Sequence, residues 1–206
     1  MSYPTDALDF SKPWQFSDVV LVVEEERFHV HRNILRMWSE VFTTMFTSEF
    51  KEKTARDVPL PGKKSSEIKE MLLVIYPTSE KPINQENYLF LLELAKEYMM
   101  ANLTRKCETF LVNVIEKFPH VSKPFTMDCL DLLNIAQDYG LHCLQTACIK
   151  KAKGLSFSRL RDLQTRCWKI PFNTRAAILE GKIEMLEERA RQCGMCCQYA
   201  FPELKQ

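Results

Sequence analysis

An α+β protein, with a small and mostly N-terminal sheet followed by helical hairpins, is what this sequence predicts, and three observations predict it. Val19-Val20-Leu21-Val22-Val23 is a β-branched run that meets an acidic turn, Glu24-Glu25-Glu26, after which Arg27 to Val30 alternates polar with apolar residues. The period then changes: Ile34, Leu35, Trp38, Val41, Phe42, Met45 and Phe46 recur on one helical face. From Ile68 onward the apolar residues keep helical spacing, punctuated by proline, glycine and asparagine.

The element order follows from these signals. Residues 1–16 form a lead with Pro4, Pro13, Phe10, Trp14 and Phe16, too short for a domain and expected to pin itself onto the domain behind it. The first strand and the alternating stretch make a hairpin around the three glutamates. Consecutive residues cannot converge on one point, so a solvated turn explains these glutamates better than acid/base chemistry does. The face from Ile34 to Phe46 is one helix or a helix pair, with Ser39 placed to cap its second half. Arg56 to Pro61 is a short strand whose prolines suit an edge. Ser65 and Ser66 can cap a helix with Ile68, Met71, Leu72 and Ile75 on its apolar face, stopped by Pro77. Asn84 caps a helix over Gln85 to Met99, and Asn102 opens another with Leu103, Cys107, Phe110, Leu111, Val114 and Ile115. A joint from Pro119 to Pro124 precedes a second helical set: Thr126 to Tyr139 ended by Gly140, Leu141 to Lys153 ended by Gly154, and Arg159 to Lys169. After a break at Pro171, Asn173 caps a long charged helix to Gln192 with Ile178, Leu179, Ile183, Met185 and Leu186.

Composition narrows the function. At 206 residues and 46% hydrophobic, the chain can bury one sizeable core, or one core and a satellite. Lys+Arg of 28 against Asp+Glu of 27 leaves a net charge of +1, which offers neither nucleic acid nor an anionic membrane an electrostatic excess. Another protein is the expected partner. No apolar run approaches the roughly 18 residues that cross a bilayer. The opening MSYPTDALDFSKP lacks a signal-peptide core, so a cytoplasmic or nuclear location is expected.

Catalytic and metal chemistry find little footing. Five glycines, at 62, 140, 154, 181 and 194, supply no phosphate loop, and no GxSxG, HExxH or GKS/T pattern occurs. The chain is expected not to be an enzyme and to need no cofactor or metal. Cys107, Cys129, Cys143 and Cys148 fall at apolar helical positions and read as reduced core residues. Cys167 with Cys193, Cys196 and Cys197 includes a CxxCC cluster that zinc or plain reduced thiols would both fit, with no second CxxC or nearby histidine to complete a metal site. His29 and His31 share a strand face but have no third ligand type in range. A buried, hydrogen-bonded His31 and a more exposed His29 at the junction of strand and helix are the expectation.

The order of motifs resembles a BTB/POZ domain. It runs through Phe16-Ser17-Asp18-Val19-Val20-Leu21, Phe28-His29-Val30-His31-Arg32, Leu35, Ser39, Phe42, Met45 and Phe46. It continues through Phe50-Lys51-Glu52-Lys53, Val74-Ile75-Tyr76-Pro77, Leu91-Leu92-Glu93-Leu94-Ala95 and Cys107-Glu108-Thr109-Phe110-Leu111. The Ile-Tyr-Pro variant followed by Lys81-Pro82-Ile83 is similar to animal BTB proteins that carry a MATH domain, although none fits before residue 17. Ala136-Gln137-Asp138-Tyr139-Gly140-Leu141 and Leu144 resemble the start of the BACK-type extension that follows BTB domains. The boundaries expected are a lead at 1–16, a BTB domain at 17–118, a BACK-like helical extension at 119–165 and a C-terminal helical segment at 166–206. In the family the position of His31 is fold-determining and that of His29 is variable.

The resemblance implies binding, not catalysis: a homodimer that serves as an adaptor between a substrate protein and a cullin-RING ubiquitin ligase, or else a scaffold that self-associates without a ligase. The cullin contact it implies falls on Phe50 and Glu52, an apolar residue and an acidic one in the loop after the Met-Phe helix, with Tyr76, near the end of its helix, and Phe125, in the joint before the BACK-like helices, as further candidate contacts. The homodimer interface it implies is an apolar patch of Leu8, Phe10, Trp14, Phe16, Ile34 and Trp38. No Kelch repeat, zinc finger or MATH domain is expected in the chain, so a target would bind within residues 166–206. There the Ile178, Ile183 and Leu186 face could enter a partner's groove or pack back on the BACK-like helices.

Overall fold

The computed structural model describes residues 8–14, 16–48, 54–79, 81–117, 129–155 and 171–192. It is an α+β chain of two compact units, residues 1–110 and 111–206.

The first unit is organised by a sheet in the order β2-β1-β3. Strand β1 (Val19–Val23) pairs antiparallel with β2 (Glu26–Val30), from Val19 opposite Val30 to Val23 opposite Glu26. Glu24 makes the reversal at a φ of 53°, the left-handed region that a two-residue hairpin needs. Strand β3 (Asp57–Pro59) lies parallel to β1 on the edge, where the missing N–H of Pro59 costs no ladder bond. Val19, Val20, Leu21 and Val23 are all buried, as a central strand requires.

The apolar face after His31 resolves into two helices, α1 (Arg32–Trp38) and α2 (Glu40–Thr47). Ser39 separates them in extended geometry, at φ −134° and ψ 125°. Its hydroxyl accepts from the Phe42 N–H at 3.0 Å and donates to the Tyr98 carbonyl at 2.6 Å, so the cap foreseen in the sequence is also a tertiary bond.

Helix α3 (Ser65–Ile75) ends before Pro77. Its N-terminus departs from expectation: Lys64 is the cap residue and Ser65 is already helical. The carboxylate of Glu24 accepts from the Ser65 N–H at 2.9 Å, and the Ser65 hydroxyl donates to Glu26 at 3.0 Å. The hairpin glutamates are therefore an external cap for α3, not merely a solvated turn. Helix α4 (Tyr88–Glu97) begins later than Gln85 because Asn84 holds a preceding turn, accepting from Glu86 at 2.9 Å and Asn87 at 3.1 Å. Met99, at φ 50°, turns the chain into α5 (Ala101–Lys117). The division between the units falls within α5.

The second unit contains α6 (Cys129–Tyr139), α7 (His142–Ala152) and α8 (Phe172–Gln192). Gly140, at φ 65°, closes α6 as its sequence position implied. Cys129 and Cys148 are buried here, and Cys107 is buried on α5. Cys143 contradicts its expected core role: it is exposed, because α7 turns that position outward while Leu144 and Cys148 face inward. Burial pushes the Cys107 thiol up to about 12 and raises that of Cys148 as well. The helix expected from Arg159 to Lys169 and the cysteines at 167, 193, 196 and 197 lie outside the described residues.

Candidate interaction surface

The junction of β2 and α1 is a packed hub. His31 precedes α1 in extended backbone, at φ −113° and ψ 124°, and its N–H donates to the Tyr76 hydroxyl at 2.9 Å. The His31 Nδ1 lies 3.1 Å from the same oxygen. Asp18 accepts from the Arg32 N–H at 2.8 Å, taking up the first orphan donor of the helix. The Arg32 guanidinium reaches the Ala55 carbonyl and stacks 4.7 Å from the Phe46 ring centre. Burial lowers the His29 pKa from its ordinary value, aided by Arg27 and Arg56. Among the described residues no group of three or more His, Cys, Asp or Glu is placed to hold a metal ion.

The lead segment is pinned onto this hub. The His29 N–H donates to the Phe10 carbonyl at 2.8 Å, and the Trp14 indole N–H donates to the His29 carbonyl at 3.1 Å. Trp14 meets His31 edge-on at 5.1 Å, and Phe10 meets Tyr76 at 5.0 Å.

These contacts sort the residues expected at surfaces. Phe10 is 2% exposed and Tyr76 is 1% exposed, so each offers its side chain to the chain's own core and not to a partner. The physical reason is the ring cluster: the phenol that looked like a helix-end contact is the acceptor for His31, and Phe10 covers its ring. Leu8, Trp14, Ile34 and Trp38 are half-buried. Phe16 is 97% exposed, on backbone held at a φ of 66°. Met37, 78% exposed, stands on α1 between Ile34 and Trp38 and was missed in the sequence. Its i+3 relation to Ile34 was the available signal.

Phe50, Glu52 and Phe125 lie outside the described residues. The element that leads to the first two is well anchored. Phe42 stacks on Phe46 at 5.8 Å and on Tyr98 at 5.0 Å, and burial pushes the Tyr98 pKa up to about 12.

Helix α8 shows two characters. Thr174, Ile178 and Gly181 are buried, and the helix lies against α7, with Gln145 donating to the Thr174 hydroxyl at 3.3 Å. Leu179, Ile183 and Leu186 are exposed at 47%, 56% and 49%. Ile178 therefore does not belong to the same face as Ile183 and Leu186, as the sequence had suggested.

Comparison with known proteins agrees with this architecture. The BTB/POZ domain family matches residues 8–114. BTB and MATH domain-containing protein 36 of Caenorhabditis elegans is 31% identical over 87% of this chain and 53% of its own length. Protein 38 of the same series in that nematode is 30% identical over 82% of this chain and 41% of its own length. Kelch-like protein 36 of Rattus norvegicus is 28% identical over 58% of this chain and 24% of its own length. The chain thus spans about half the length of the first two relatives, and its match with the BTB model covers the sheet, the α1/α2 pair and most of α5. It belongs to the BTB/POZ domain family.

Proposed function

We propose that this chain is a protein-binding adaptor that homodimerises through its BTB domain and links a target protein to a cullin-RING ubiquitin ligase. The observation that carries the reading is the BTB/POZ match over residues 8–114, with BTB-and-MATH and Kelch-like proteins among the relatives. The dimer contact on this reading is the apolar surface of α1 together with Phe16: Ile34, Met37 and Trp38 follow one another at i, i+3 and i+4, and Phe16 and Met37 are open. The cullin contact uses Phe50 as an apolar anchor and Glu52 as the acidic neighbour that sets register, and Phe125 is a further candidate contact. Tyr76 is left out of that contact, since its hydroxyl holds the start of α1.

Calorimetric titration of the purified chain with the amino-terminal half of its cullin tests this reading. The expected result is roughly micromolar binding or tighter, weakened about 30-fold or more by Phe50→Asp, since a hot-spot anchor is worth roughly 2 kcal/mol or more. The fold and self-association should survive that substitution. A folded wild-type chain that releases no binding heat at roughly tens of micromolar would overturn the ligase reading and leave a self-associating scaffold.

A further inference from the structure

The outer side of α8 is built as a seam. Phe172, Ala176, Leu179, Ile183, Leu186 and Ala190 succeed one another at spacings of four, three, four, three and four residues, the repeat that keeps one stripe facing a partner helix. Phe172 is 79% exposed and Leu179, Ile183 and Leu186 are each about half open, while the opposite side, Thr174, Ile178 and Gly181, is buried in the unit that also contains α7. In heptad terms Ala176, Ile183 and Ala190 stand at a, and Phe172, Leu179 and Leu186 at d. A β-branched residue at a with leucine at d is the packing that favours two parallel strands.

The charges beside the seam are sorted by sign. Arg175, Lys182 and Arg189 stand immediately before the a residues, and Glu180 and Glu187 immediately after two of the d residues. In a parallel pair, the residue before a on one helix faces the residue after d five positions further along on the other. Arg175 would meet Glu180 and Lys182 would meet Glu187, each pair twice by symmetry. An antiparallel pair would set base against base and acid against acid. From spacing, exposure and charge together we infer that α8 pairs in parallel with α8 of a second copy of this chain.

The local chemistry is compatible with that contact. Lys182 donates to the Leu155 carbonyl at 2.8 Å, and its ammonium keeps two further protons for a carboxylate. Glu180 and Glu187 are exposed. Because α8 is already ordered against α7, pairing does not bear the nucleation cost that keeps isolated short helices apart. The contact is independent of the BTB-borne dimer and does not rest on the proposed adaptor role.

Disulfide trapping on the full chain reads this seam alone. Leu179→Cys places a thiol at a d position, opposite its own copy only in a parallel pair in register; Glu184→Cys places one outside the seam. Under mild oxidant, Leu179→Cys should give a linked dimer beyond that of the unchanged chain, and Glu184→Cys should not. Adding Glu180→Lys and Glu187→Lys, which leave the buried face untouched, should lower the linked fraction about tenfold as four attractive contacts become repulsive. Circular dichroism checks that the variants stay folded. Absence of the Leu179→Cys dimer, equal trapping at position 184, or a dimer indifferent to the charge reversal would each overturn the inference.

Discussion

One phenol ties the sheet to the helices where β2 gives way to α1. The Tyr76 hydroxyl takes the His31 N–H at 2.9 Å, and burial raises its pKa, so it stays a neutral group under ordinary conditions. Tyr76→Phe removes that acceptor without opening a large cavity, and the unmet N–H should cost about 1–2 kcal/mol. Chemical denaturation would register this as a lower midpoint at unchanged slope; a loss below about 0.3 kcal/mol would mean that water replaces the phenol. Buried ionisable groups also set the alkaline limit. The Tyr98 hydroxyl and the Cys107 thiol are each pushed up to about 12 by burial, from ordinary values of 10.0 and 9.0. The unfolded chain releases these protons first, so stability should be intact below about pH 9 and fall as pH rises toward about 12. A melting temperature flat from pH 8 to about 11 would contradict this.

At the scale of the element, what the sequence disclosed depended on where each signal resided. Ser39, Pro77 and Gly140 act on their own helices, and each did what its residue type implies. The start of α3 was not legible in the same way, because its cap is the Glu24 carboxylate, 41 residues away in sequence. Nor could periodicity alone say that Phe10 and Tyr76 turn inward, since their burial comes from each other and from Trp14. On α8, a broad apolar stripe read from sequence merged two faces that packing separates. Gly181 sits on the inner one, where an added Cβ would lie 2.1 Å from Lys153 Cε and 2.3 Å from its Nζ. Those atoms are the free end of a flexible tail. Gly181→Ala should therefore be neutral or stabilising by up to about 1 kcal/mol, as the tail moves aside and helix propensity rises. A destabilisation beyond about 2 kcal/mol would show that Lys153 is fixed in place.

At the scale of the whole molecule, the chain joins a BTB domain to a helical unit and places its exposed apolar side chains on distinct elements. Phe16 is open in the lead and Met37 on α1, and Phe172, Leu179, Ile183 and Leu186 are open on α8. Open apolar side chains of this kind suit the adaptor role proposed above. The fold class and the BTB resemblance were legible because an ordered set of motifs repeats the logic of strand, cap and helix. The finer surface was legible only in part, since exposure is decided by tertiary neighbours and not by residue type. The most direct test of the adaptor account is the mass, by light scattering on a sizing column, of the chain mixed with the amino-terminal half of its cullin. The account predicts one complex of two chains and two cullin halves, dispersed into chain dimer and free cullin by Phe50→Asp. A chain that travels as a monomer, or apart from cullin at roughly tens of micromolar, would contradict it.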